Sequence, residues 1–180
     1  MRAVLTGIVQ AIETVTTAAG WLAAATTAPL AVFMVYEVAA RYLFNAPTFW
    51  AYELGYMLMG GGLMLGVAYT MKARAHVRVD FVYAAMPARG RAAIDVLGYL
   101  ILLPIVLWLC VGLWDYFIRA FESGEVSGES AWNPVVWPFR ATFVIGFGLF
   151  ALQTVAEMIK SGWILIHGAD LVSAPAEGHA

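Results

Sequence analysis

Charge is what this chain has least of. Only 12% of its 180 residues are Asp, Glu, Lys or Arg, where soluble domains carry about 25%. The net charge is −2 and no basic run accompanies a nucleic-acid motif, which excludes nucleic acid as a partner. Cysteine occurs once, at Cys110 among apolar neighbours, so disulfides and thiolate metal clusters within the chain are excluded. Histidine occurs three times, as His76, His167 and His179, never midway along an apolar stretch. The axial ligands of a membrane haem are therefore missing. The sequence holds no phosphate loop, no HExxH, no nucleophile elbow and no acid pair suited to hydrolysis. These absences describe a chain with no enzyme activity, no cofactor and no metal centre.

Apolar residues are plentiful: 62% of the chain is hydrophobic, with mean hydropathy +0.79. Lipid satisfies no backbone polar group, so such a chain crosses a membrane as helices. The expected class is all-α, a single polytopic domain over 1–180 with four transmembrane helices. Crossing hydrocarbon takes about 20 helical residues, and four stretches qualify, roughly 20–40, 50–71, 96–118 and 141–159. Residues 1–19 read as an interfacial or leading helix, and 161–180 as a tail. A cleaved signal peptide competes for the N-terminal segment, through the small residues of LAAATTAPLA. Against it, the apolar stretch continues well past that run and only Arg2 marks a basic N-region.

Basic residues set the expected orientation. Lys72, Arg74, Arg78, Arg89 and Arg91 make up five of the ten Lys and Arg residues. Placing their segment in the cytoplasm puts Arg2 and Lys160 there too and leaves Arg41, Arg119 and Arg140 outside. Both termini are then cytoplasmic. Val77, Val79, Phe81, Val82 and Met86 are interspersed with basic residues, a pattern suited to a second interfacial helix on an anionic leaflet. A solvated loop would serve equally.

The ionisable residues of the apolar stretches are Glu37, Glu53, Asp115 and Glu157, all near span ends. Glu37 precedes Arg41 by four residues and Asp115 precedes Arg119 by four, with Tyr36, Tyr42, Phe44, Trp114, Tyr116 and Phe117 around them. On a helix each pair shares one face in the favourable order, and the rings suit an aromatic belt. Gly62 and Gly66 have the small-xxx-small spacing of close helix packing, with no indication of which helix they meet. Pro29 and Pro104 are expected to bend the first and third spans.

The stretch RYLFNAPTFWAYEL supplies Arg41, Tyr42, Phe44, Asn45, Pro47, Trp50 and Glu53 in the order RYxFNxPxxWxxE. HVRVD follows the second span with His76 and Asp80, and SGES and WPFR, with Arg140, precede the fourth. With this topology the chain resembles the small membrane subunit, the DctQ-type component, of tripartite ATP-independent periplasmic (TRAP) transporters. The resemblance covers nearly the whole chain apart from its ends. It implies a bacterial inner-membrane location and a sodium-driven importer of a small organic acid or related solute. A soluble periplasmic protein captures the solute. A large DctM-type subunit carries the substrate and sodium sites and moves as an elevator. The small subunit packs against that subunit's scaffold. Partners implied are the large subunit, the periplasmic substrate-binding protein and membrane lipids.

Glu122, Glu125 and Glu129 make the last outward loop acidic and are candidates for docking the periplasmic protein. A solvated loop kept negative by topology explains them equally well. A rival reading is a stand-alone four-helix exporter or ion-coupled carrier built around a membrane-embedded acid, Glu13 or Glu37.

Overall fold

The computed structural model describes residues 1–73 and 86–171. Five helices are present among them: α1 (Arg2–Ala25), α2 (Thr27–Leu43), α3 (Ala51–Lys72), α4 (Ala88–Ser123) and α5 (Trp137–His167). Taken together, α1 and α2 form one 42-residue apolar stretch, Arg2–Leu43. Four helices are thus long and apolar enough to cross a membrane. No strand occurs among the described residues beyond one isolated bridge, Val126 to Val135.

The first span is interrupted at Thr26. Its N–H reaches back to Leu22 and Ala23 carbonyls at 3.2 Å, and its hydroxyl donates to Ala23 O at 2.7 Å. Pro29, in the first turn of α2, has no N–H to offer the Ala25 carbonyl, which accounts for a break one turn earlier. Residues 1–19, expected as a distinct leading helix, run on within α1. At 1.5 Å per residue the whole stretch measures about 63 Å, roughly twice a hydrocarbon core.

α4 passes through Pro104 as one helix and stops at Gly124, whose φ of +60° is the left-handed turn that favours glycine. It reaches beyond 96–118 at both ends, because hydropathy falls at Arg89, Arg91, Asp95, Arg119 and Glu122 while the backbone stays helical. α5 likewise extends to His167, into the stretch 161–180 expected as a tail. The basic segment with its expected interfacial helix, His76 and Asp80 included, lies outside the described residues.

α5 is the central helix, touching α1, α3 and α4, while α2 rests mainly on α3. Ala68, Met71, Tyr99, Val106, Phe150 and Ala151 form the core. Small residues bring the backbones together. A Cβ on Gly146 would collide with the Met64 carbonyl, and one on Gly62 with the Thr26 hydroxyl. Gly66 faces Ala23. The helix that Gly62 and Gly66 meet is therefore this chain's own first span, at the α1–α2 break. α4 presents Leu97, Leu100, Ile101, Ile105, Trp108 and Val111 outward, as a lipid-facing helix does.

Candidate functional site

One end of the bundle carries the 44–50 turn and the 124–136 loop, and most of the sequence-predicted residues sit there. Glu37, in the penultimate turn of α2, divides its carboxylate. Oε1 accepts from Arg41 Nε at 2.9 Å and from its Nη2. Oε2 accepts from the Thr48 backbone N–H at 2.9 Å and from its hydroxyl. The end of α2 is thereby tied to the turn that starts α3. Asn45 takes a left-handed φ of 48°, which Asn tolerates better than most residues, and Ala46 N–H closes on Ala40 O at 3.0 Å. Trp50 meets Phe33 edge-on at 5.5 Å and stacks on Tyr36 at 5.9 Å. Arg41, Asn45 and Trp50 thus build the turn around Pro47, whereas Tyr42 and Phe44 point outward, about three-quarters exposed.

Glu53 is the exception. It is fully buried in the first turn of α3, and neither carboxylate oxygen has a hydrogen-bond partner among the described residues.

Arg140 organises the 124–136 loop. Its guanidinium pairs with both oxygens of Glu125, lies 3.6 Å from the Tyr116 ring centroid and donates to Tyr116 O at 3.3 Å. Val136 N–H donates to Glu125 O and Ser127 N–H to Pro134 O, each at 3.0 Å, and Gly128 N–H to Asn133 Oδ1 at 2.7 Å. A cleft of about 320 Å³ opens beside this loop, between Tyr52, Tyr56, Tyr116, Glu129 and Arg140. Of the three acids proposed for docking, Glu125 faces Arg140 of its own chain, while Glu122 and Glu129 are exposed on the loop and the helix end before it.

The expected Asp115–Arg119 pair does not form as a side-chain ion pair. Arg119 Nε donates instead to the Asp115 backbone carbonyl at 3.2 Å. An exposed pair gains too little in water to hold two long side chains together.

A second cluster lies at the Lys72 end. Thr16 donates to Gln153 Oε1 at 3.0 Å, and Gln153 Nε2 to Glu157 Oε1 at 3.0 Å. Lys160 pairs with Glu157 and, at 2.8 Å, with Glu13. Lys72 Nζ donates to the Thr17 hydroxyl at 2.5 Å and to Glu13 O at 3.3 Å. Thr16, Gln153 and Glu157 are fully or almost fully buried. The spacing 153, 157, 160 on α5 marks a polar stripe that sequence could have flagged, but not its partners on α1. Among the described residues no group of three or more His, Cys, Asp or Glu could hold a metal ion. Chemically, both clusters fasten helices together.

Comparison with known proteins follows the same segments. The family model described as "Tripartite ATP-independent periplasmic transporters, DctQ component" matches residues 30–161. The C4-dicarboxylate TRAP transporter small permease protein DctQ of Vibrio cholerae is 28% identical over 81 residues, 45% of this chain and 35% of that one. The sialic acid TRAP transporter permease protein SiaT of Haemophilus influenzae is 25% identical over 93 residues, 51% of this chain and 14% of that one. The matched segments span about a third or less of these relatives' length. No solved structure matches.

Proposed function

Because the chain belongs to the DctQ family of tripartite ATP-independent periplasmic transporter components, we propose that it is the non-catalytic small membrane subunit of a sodium-coupled importer of a small organic acid or related solute. The family match over residues 30–161, which takes in the Glu37–Arg41–Thr48 lock and most of α5, is the observation that carries this reading. The chain packs against a large elevator-type permease subunit in a bacterial inner membrane and binds no substrate itself. Its termini face the cytoplasm, and the turn at Asn45 and the loop at Glu129 face outward, toward a periplasmic binding protein. The segment matched in SiaT is a small part of a much longer permease, which suits a domain that works beside a larger membrane partner. Both acids that a stand-alone exporter would use are ion-paired within the chain, Glu13 to Lys160 and Glu37 to Arg41.

Reconstitution tests this. The small chain, the large subunit and the binding protein are placed in liposomes together and in every subset, under an inward sodium gradient. Uptake is expected from the full set and none from the small chain alone. Uptake by the small chain without a partner would overturn the assignment.

A further inference from the structure

We propose that Glu53 is the anchoring ligand of a site for one small monovalent cation, reached from the cleft between α3, the end of α4 and the 124–136 loop. The carboxylate is 0% exposed and both oxygens lack partners. An ionised carboxylate carries about four lone-pair positions, and burying it uncompensated costs several kcal/mol. The orphaning is local to Glu53, because the other buried acids are compensated. Glu37 has Arg41 and Thr48, and Glu157 has Gln153 and Lys160.

No cation among the described residues pairs with it. Arg140 is committed to Glu125 and to the face of Tyr116. Tyr56 follows Glu53 by three residues, which places the two on one face of α3, and it lines the cleft, whereas Glu53 itself does not. Tyr56 is therefore the residue through which the proposed site would connect to the cleft. Carboxylate and phenol oxygens suit a hard cation. Glu125 and Arg140 pair with each other, so one monovalent cation would suffice to match Glu53 in its carboxylate form. This inference concerns the chain's own residues and stands or falls independently of the subunit assignment.

The test uses the full chain purified in detergent. Its thermal unfolding midpoint is titrated with NaCl or KCl while choline chloride holds ionic strength constant. The wild-type midpoint is expected to rise and saturate with one of the two ions, since a ligand bound only to the folded state stabilises it. Glu53→Gln is expected to abolish the rise. Tyr56→Phe, which keeps the ring and the fold, is expected to raise the half-saturating concentration roughly tenfold, the equivalent of one good polar ligand. A wild-type midpoint indifferent to both ions, or an identical response in Glu53→Gln, overturns the proposal. If Glu53→Gln does not fold, an unchanged half-saturation in Tyr56→Phe overturns it instead.

Discussion

At the Lys72 end of the bundle, buried polar side chains find partners on other helices, Thr16 with Gln153 and Glu13 with Lys160. At the Asn45 end Glu37 binds Arg41 and Thr48, Arg140 of α5 joins Glu125 and the Tyr116 carbonyl of α4, and one buried carboxylate, Glu53, is left over. The first arrangement fixes which helices lie together. The second shapes a turn and a loop and leaves Tyr42, Phe44, Glu122 and Glu129 exposed. One end thus has its buried polar groups paired across helices, and the other keeps one buried acid unpaired beneath exposed rings and acids.

The strongest way to break the comparison is at Lys160, which neutralises both Glu13 and the buried Glu157. Lys160→Met leaves two carboxylates at the α1–α5 contact without their cation. Removing one partner of a buried pair costs about 3–5 kcal/mol, and the slight exposure of Lys160 places the expected loss near the lower figure. Thermal unfolding in detergent measures it. Adding Glu13→Gln and Glu157→Gln is expected to recover much of the loss, because no buried charge then remains. A single variant as stable as wild type would mean that the cluster does not hold α1.

A smaller effect is expected at Gly146, which tests whether helix proximity rather than polar bonding sets the α3–α5 contact. A Cβ there meets the Met64 carbonyl, a backbone atom that cannot rotate away. Gly146→Ala is expected to cost about 1–3 kcal/mol, the usual range for overpacking. Gly148→Ala, where a Cβ meets nothing within 4 Å, serves as the control and is expected to leave stability unchanged or slightly raised, since Ala favours the helix.

These contacts differ in how far sequence exposes them. The four spans are legible because composition alone forces them. Their ends are not, since α4 continues through Arg89 and Glu122, where hydropathy drops. Glu37–Arg41 is legible because four-residue spacing is local geometry. Thr48 escapes notice because its bond to Glu37 depends on the left-handed turn at Asn45. Thr16 and Gln153 stand 137 positions apart, and only the packing of α1 on α5 brings them together. Glu53 is visible as a motif residue, but its burial without a partner appears only in the packed bundle.

The subtlest contrast lies within the Asn45 end, between two sequence-identical spacings. Glu37 and Arg41 form a side-chain pair that also fixes Thr48, whereas Arg119 bonds only the Asp115 carbonyl. The difference follows from the third partner. Thr48 donates twice to Glu37 and holds its carboxylate where Arg41 can reach it, and among the described residues nothing comparable holds Asp115. Arg41→Ala is therefore expected to loosen the 44–50 turn, seen as severalfold faster amide exchange at Ala46 and Thr48. Arg119→Ala is expected to leave exchange around Asp115 unchanged, as exposed pairs generally do. Equal effects in the two variants would mean that spacing alone, and not the Thr48 bond, decides which pair matters.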